Sequence, residues 1–153
     1  MKFIFVLTIV ILFGYSHAFW SACPGTTLPS LDSMESPSCT DRCRAVRGEV
    51  FYGTLRMTFQ EAHQELRSRV TAFIFGIGVN IPVDPPFDNQ CNLILFTNGT
   101  QAGCPTIPNT QYMLVIEMLI STLYPSFSNT RVQVDYFDGN ERVFCYQFIA
   151  DLI

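Results

Sequence analysis

The side chains that could act as acids or bases are few in this sequence, and they stand alone. His63 lies in a polar stretch, and no acidic partner is fixed beside it by spacing, although a nucleophilic triad needs a base held in that way. Glu117 is the lone carboxylate of an apolar segment, and no second carboxylate is spaced to cooperate with it in acid–base catalysis. Motifs for phosphate, calcium or zinc are missing from the sequence. We therefore expect a protein that is not an enzyme and that uses no cofactor.

The first 18 residues have the pattern of a secretory signal. A positive charge at the second residue precedes an almost wholly apolar stretch, Phe3 to Phe13, and Ser16 and Ala18 supply the small residues of a cleavage site. The stretch is short for a membrane span, which needs about 20 residues. We expect residues 1–18 to be removed and residues 19–153 to form one domain that is secreted, or delivered to lysosomes.

The charge of the mature chain argues against a nucleic-acid partner. Lys2 is the only lysine, so residues 19–153 carry eight arginines against 13 acidic residues, a net charge of −5. Nucleic-acid binding depends on many cationic contacts to phosphate. Asn98-Gly99-Thr100 is the only N-glycosylation sequon, and its composition predicts an exposed turn, so we expect a glycan on Asn98.

The six cysteines all follow the signal sequence. An even number in an exported chain indicates three disulfides, and 15 connectivities are open on sequence grounds. Zinc is the alternative, but His63 is the only histidine of the mature chain and the compartment is oxidising, so we expect no metal site. Proximity in sequence favours two short pairs and leaves one long pair: Cys39–Cys43, Cys91–Cys104 and Cys23–Cys145.

A segment from Gln111 to Ser126 is the element around which the other segments are arranged. Read with a period of two, one face from Tyr112 to Ile120 is apolar and the other is mostly apolar, with Glu117 as its one carboxylate, which predicts a strand buried on both sides. Pro125 ends this strand and favours an extended conformation at Tyr124. We expect the Tyr124 phenol to lie at the mouth of whatever the strand lines.

About seven segments have the alternation or the apolar runs of β-strands, and no long helix or internal repeat is indicated. Leu55–Phe59 alternates, Val70–Val79 is almost continuously apolar, and Asp138-Gly139-Asn140 is a hairpin turn between the last two strands. Residues Phe19–Ser38 read as one short strand followed by loop, and Asn80–Asn89 as a stiff proline-rich loop. The pattern predicts an all-β sandwich of two antiparallel sheets.

The number of apolar side chains exceeds what two facing strands need. If the sheets are splayed, these side chains line a cavity between them, and burial of about 400 Å² of ligand hydrocarbon would contribute about 10 kcal/mol before ordering costs. A fully packed core is the alternative. Phe73 and Phe75 add to the excess, and the candidate ligand-binding residues are Val79, Ile81, Val83, Leu114, Ile116, Met118, Ile120 and Tyr124.

Several motifs and the order of the cysteines resemble the ML (lipid-recognition) domain family, which includes a soluble cholesterol carrier and the group 2 mite allergens. The resemblance covers essentially all of residues 19–153. The motifs that carry it are Gly78-Val79-Asn80-Ile81-Pro82 with its proline-rich loop, Cys104-Pro105, Leu123-Tyr124-Pro125-Ser126 and Phe144-Cys145-Tyr146.

The resemblance implies an immunoglobulin-like β-sandwich whose sheets open to admit a lipid. It implies disulfides from first to sixth, second to third and fourth to fifth cysteine, in agreement with proximity. It places the tunnel mouth at Val83, Ile120 and Tyr124, with Val83 standing where the family's sterol carrier has an aromatic residue. The lack of lysine removes the cationic rim that lipopolysaccharide-reading members use.

These observations lead us to expect a secreted lipid-binding or lipid-transfer protein that holds a sterol or another small hydrophobic lipid between its sheets. Its partners would be that lipid and, transiently, a membrane or a receptor. The alternatives are an extracellular carrier of a fatty acid or semiochemical, an immune module that recognises lipid, and a structural protein with a filled core.

Overall fold

Ten β-strands and one short 3-10 turn make up the part of the chain that the computed structural model describes, residues 19–25 and 31–153. The signal predicted for residues 1–18 lies outside these residues. The 3-10 turn is Gln90–Asn92. The strands are β1 Trp20–Ala22, β2 Leu31–Glu35, β3 Cys43–Ala45, β4 Val50–Phe59, β5 Arg67–Ile74, β6 Ile77–Ile81, β7 Ile94–Phe96, β8 Thr110–Leu119, β9 Phe127–Asp138 and β10 Glu141–Leu152.

The strands form two sheets, as the sequence predicts. One sheet has the order β1-β10-β9-β5-β6, with β3 also paired to β10, and the other has the order β2-β4-β8-β7. All pairs are antiparallel except β3 with β10. The β-sandwich prediction is confirmed, and the strand number is ten instead of about seven.

Three elements account for the difference in strand number. The segment Phe19–Ser38 contains a second strand, β2, and Cys43–Ala45 forms β3; both are ordered by pairing with distant strands, β4 and β10, which local composition does not show. The apolar run Val70–Val79 is a hairpin instead of one strand. Its turn is Phe75-Gly76, with φ of 50° and 81°, the positive values of a two-residue type I′ turn.

The prediction that β8 is buried on both faces is wrong. Tyr112 and Leu114 are fully buried against the other sheet, whereas Val115, Glu117 and Leu119 on the opposite face are exposed, Leu119 to 66%. The sandwich has two layers, and no third layer of described residues covers the outer face of this sheet. Apolar side chains on that face therefore lie on the surface, which a periodicity argument alone cannot detect.

All three expected disulfides are present. Cys23–Cys145 joins the residue after β1 to the middle of β10, Cys39–Cys43 closes the turn before β3, and Cys91–Cys104 closes the loop around β7. The first of these crosslinks spans 122 residues of sequence and ties the two ends of the domain together.

Rings fill the space between the sheets near the β9–β10 turn. Tyr136 and Phe144 stack with centroids 4.3 Å apart, and Phe59 and Tyr146 lie 6.1 and 6.4 Å from Phe144. All four, and Tyr112 beside Phe59, are buried. We call these five rings the aromatic cluster; they close this end of the sandwich.

Candidate functional site: a cavity between the sheets

Away from the aromatic cluster the two sheets enclose unfilled space. One part, of about 80 Å³, we call the Tyr124 compartment; its walls come from both sheets and include Ile81, Ile120, Tyr124, Phe127 and Val132. These side chains are all aliphatic or aromatic. They lie on β6, on β9 and on the segment that follows β8. The walls suit hydrocarbon.

The second part, of about 70 Å³, we call the Gln90 compartment. Its walls include Ser68, Val83, Phe87, Gln90 and Ile116, together with Tyr136 and Tyr146 of the aromatic cluster. Both compartments share three lining residues, Phe51 of β4, Val70 of β5 and Met118 of β8. The two are therefore neighbouring halves of one inter-sheet cavity.

Six of the eight candidate ligand-binding residues line this cavity. Met118 borders both halves. Three candidates border the Tyr124 compartment and two the Gln90 compartment: Ile81, Ile120 and Tyr124 in the first, Val83 and Ile116 in the second.

The remaining two candidates lie elsewhere. Leu114 is fully buried in the packed core and is not part of the cavity wall. Val79 is opposite the buried Ala72, on the inner face of its sheet, but it is 46% exposed. The four-stranded sheet leaves this end of the β5–β6 hairpin uncovered. The tip residue Phe75 is 100% exposed and Ile77 is 69% exposed.

Tyr124 bridges the two layers at the edge of the sandwich. Its hydroxyl donates a hydrogen bond to the carbonyl oxygen of Pro82 at 3.3 Å, and its own carbonyl accepts one from Nη1 of Arg47 at 3.3 Å. Pro82 follows β6 of one sheet, whereas Tyr124 follows β8 of the other. The phenol thus lies between the edges of the two sheets, beside the Tyr124 compartment.

The polar wall of the Gln90 compartment has no counterpart in the sequence prediction. The Gln90 side-chain nitrogen donates to the carbonyl oxygen of Phe87 and to Oγ of Ser68, and the Ser68 hydroxyl also donates to that carbonyl. Gln90 is only 4% exposed, and its Oε1 has no hydrogen-bond partner among the described residues. A glutamine between Asn89 and Cys91 looks like an ordinary loop residue, so no sequence signal marks it.

Two buried phenols complete that wall. The hydroxyls of Tyr136 and Tyr146 are hydrogen-bonded to each other. Burial raises the pKa of Tyr136 to about 12, and burial followed by the proximity of Tyr136 raises the pKa of Tyr146 well above its usual value. Both phenols are neutral at physiological pH.

The two isolated candidates for acid–base chemistry, His63 and Glu117, have contacts or positions that do not indicate catalysis. His63 Nδ1 lies 3.4 Å from Oδ2 of Asp138, a partner 75 positions away that local spacing could not reveal, and its ring meets Phe59 edge-on. Asp138 also accepts hydrogen bonds from the backbone N–H groups of Gln64 and Glu65, so it fixes the β9–β10 turn to the neighbouring loop. Glu117 is exposed on the outer face of β8.

The sequon and the other predicted features are placed as follows. Asn98 is exposed in the turn after β7, and its Oδ1 accepts hydrogen bonds from the backbone and hydroxyl of Thr100. Within residues 19–25 and 31–153, no group of three or more histidine, cysteine or acidic side chains is placed to hold a metal ion. The same residues include no helix with the length and hydropathy of a membrane span.

A two-layer β-sandwich with three disulfides and an apolar cavity between its sheets defines the class of protein. The model of the ML domain family matches residues 17–152, nearly the whole chain. The chain belongs to the ML domain family.

Comparison with individual proteins gives the same placement. The chain is 25% identical over 120 residues to NPC intracellular cholesterol transporter 2 of Danio rerio, covering 76% of this chain and 72% of that protein. It is similar in fold to a Niemann-Pick type C2 protein from Japanese carpenter ant, with a TM-score of 0.72, 13% identity, and coverage of 88% and 98%. Chicken MD-1, whose structure is a complex with lipid IVa, has a TM-score of 0.54, 12% identity and 85% coverage of each chain.

Proposed function

We propose that this protein binds one small hydrophobic lipid between its two sheets and carries it through water. The observation that carries the proposal is the inter-sheet cavity, whose apolar walls come from both sheets and whose two halves meet at Met118. Membership of the ML domain family, and the lipids named for relatives of similar fold, support a lipid as the occupant.

The ligand enters by parting the sheets. The two halves of the cavity measure about 70 and 80 Å³, well below the roughly 300–1,000 Å³ of typical ligand pockets, so an occupied cavity must be wider. The Tyr124–Pro82 hydrogen bond closes the gap between the β6 and β8 edges at a single point. Breaking it would cost about 1 kcal/mol, which burial of ligand hydrocarbon readily offsets.

The shape of the cavity favours a flexible chain over a flat ring system as the ligand. Phe51, Val70 and Met118 lie where the two halves adjoin, and a linear hydrocarbon can extend past them from one half into the other. Val83 contributes a short aliphatic wall where the family's sterol carrier has an aromatic ring. By shape alone, a single-chain lipid such as a fatty acid, a fatty alcohol or a semiochemical is therefore favoured over a sterol.

The protein works outside the cytosol, in an extracellular fluid or in lysosomes. Three disulfides need an oxidising compartment to form, and the signal pattern of residues 1–18 would deliver the chain there. The exposed Asn98 is available to a glycan in that pathway.

The tip of the β5–β6 hairpin makes transient contact with membranes. Phe75 occupies the first central position of a type I′ turn at φ 50°, where asparagine, aspartate or glycine is normal and a bulky side chain is strained. It is fully exposed, and the nearby Ile77 and Val79 are also exposed. An aromatic residue kept at local cost in water suits insertion into a lipid surface beside the cavity.

Paired tryptophan substitutions test the carrier proposal. Met118→Trp fills the junction of the two halves, whereas Leu119→Trp, on the next residue, adds the same side chain to the exposed outer face. With a fluorescent fatty acid and a fluorescent sterol as probes, we expect Met118→Trp to reduce affinity at least tenfold and Leu119→Trp to leave it within twofold. Equal binding by both variants would place the ligand outside the cavity.

A further inference from the structure

We propose that the Gln90 compartment binds a hydroxyl group of the ligand, so that the protein selects neutral lipids that carry an alcohol at the end held inside. The inference rests on the proposed lipid binding and adds the polar chemistry and orientation of the ligand. Its starting point is Gln90 Oε1, the one buried, unpartnered side-chain acceptor in the cavity wall among the described residues.

The orientation of the Gln90 amide follows from its neighbours. The carbonyl oxygen of Phe87 can only accept, so the amide group that meets it must be the nitrogen, and this places Oε1 at the unpaired position. The Ser68 hydroxyl holds the same nitrogen and also donates to Phe87. Both donors are thereby committed to one carbonyl, and Oε1 remains free to accept from a ligand.

A buried acceptor without a partner is unfavourable in the empty protein. A ligand that brings an O–H group into the compartment removes this penalty, whereas a ligand with only hydrocarbon there leaves it in place. The compartment therefore discriminates by the presence of a donor and not by apolar area alone.

The charge of the compartment excludes an ionised ligand end. No arginine, histidine or other charged side chain of the described residues borders it, and the nearby Tyr136 and Tyr146 are neutral phenols. A carboxylate there would lie against the Gln90 oxygen without a counter-ion, which is costly in a desolvated site. A neutral alcohol brings no charge into the compartment and can donate its hydrogen to the Gln90 oxygen.

The Tyr124 compartment is less polar than the Gln90 compartment, and this difference sets the orientation of the ligand. Among the residues that the structure describes, the one charged neighbour of the Tyr124 compartment is Asp151, which is already engaged by the backbone N–H of Asn129 and by Arg42. The remaining walls are apolar. We therefore place the hydrocarbon tail in the Tyr124 compartment and the hydroxyl in the Gln90 compartment.

The test compares a fourteen-carbon primary alcohol with its methyl ether, which differs in lacking the donor, by displacement of the uncharged fluorescent probe N-phenyl-1-naphthylamine. The wild-type protein should bind the alcohol about tenfold more tightly than the ether. Gln90→Leu should lower this ratio to near one. Gln147→Leu is the matched control, because Gln147 Oε1 is also buried and unpartnered but its side chain lies outside the cavity; this variant should keep the wild-type ratio.

The comparison within the wild-type protein remains decisive even if Gln90→Leu does not fold. Equal affinity for alcohol and ether would overturn the hydroxyl site while leaving lipid binding in place. Failure of both compounds and of the fluorescent probe to bind would overturn lipid binding itself, and the hydroxyl site with it. Loss of the preference in Gln147→Leu as well would show that the effect is not local to the Gln90 compartment, and would also overturn the inference.

Discussion

The two ends of the sandwich are built by the same two sheets and are filled differently. Near the β9–β10 turn, Tyr136 and Phe144 stack within one sheet and Phe59 of the other sheet packs against Phe144, so buried rings fill the space between the sheets. Toward the Tyr124 end, Val70, Ile81 and Met118 border space that no described side chain fills. We call the first the packed end and the second, after its proposed role, the container end.

The two ends therefore have different roles: the packed end stabilises the fold, and the container end is the proposed ligand site. In the proposed mechanism, the aromatic cluster holds the sheets together at one end while the other end parts to admit the ligand. The Cys23–Cys145 disulfide joins β10 at a residue between Phe144 and Tyr146, so it reinforces the packed end. The container end has one hydrogen bond, Tyr124 to Pro82, across its opening among the described residues.

Truncating one ring at each end is the strongest test of this division. Phe144→Ala removes a fully buried ring from the aromatic cluster and should destabilise the protein by about 3–5 kcal/mol, because the stacked neighbours cannot collapse into the space. Phe51→Ala, the matched change beside the existing cavity, should cost at least about 1 kcal/mol less. Urea unfolding curves measure both values. Equal losses at the two ends would mean that the cavity walls are packed as tightly as the cluster.

Alkaline pH should lower the unfolding free energy through the buried tyrosines of the packed end. Tyr136 has a folded pKa of about 12 against 10.0 for the free side chain, so the unfolded state loses its proton first. The stability contribution is complete below pH 10 and is lost as the pH rises toward 12, by about 2–3 kcal/mol for this one group. Unfolding free energies between pH 9 and about 12 should show that decline, and Tyr136→Phe should make it shallower without removing it, because burial also raises the pKa of Tyr146. A decline of the same slope in the variant would assign the loss to other groups.

The sequence predicts the packed end better than the container. The alternating runs of β9 and β10, the hairpin at Gly139 and the three disulfides were all accessible from local pattern and resemblance, because each depends on residues near in sequence or on cysteine order. The exposure of the outer face of β8 could not be predicted from the sequence, because Val115 and Leu119 are as apolar as the residues that face inward. Burial depends on which layer lies opposite, and periodicity carries no information about that.

Residues that act through distant partners were the other failures. The Asp138 partner of His63 and the Ser68 partner of Gln90 are brought close only by the tertiary fold. The type I′ turn at Phe75-Gly76 was hidden because phenylalanine is atypical at its first central position. Six of the candidate residues named from the sequence therefore border the cavity, whereas no sequence signal marked its polar wall or the exposed hairpin tip.

The smallest expected effect concerns the hairpin tip, where one substitution should raise stability and slow lipid transfer. Phe75→Asn places the residue preferred at a type I′ turn and removes an exposed ring, so it should stabilise the protein by about 0.5–1 kcal/mol. The same change should slow lipid transfer between vesicles severalfold, because the membrane contact is lost. Ile107→Asn, an exposed apolar residue at the opposite end, is the control and should leave transfer unchanged. Unaltered transfer by Phe75→Asn would remove the hairpin tip from the mechanism.

The claim that the container end holds a lipid is tested most directly by native mass spectrometry of the protein purified from secreting cells, followed by solvent extraction and identification of what is released. We predict a one-to-one adduct that is lost in Met118→Trp and kept in Leu119→Trp, with an extracted compound that is small, hydrophobic and neutral. An unliganded wild-type mass, together with no displacement of fluorescent fatty acid or sterol on titration, would contradict the account and leave a sandwich whose cavity is only a packing defect.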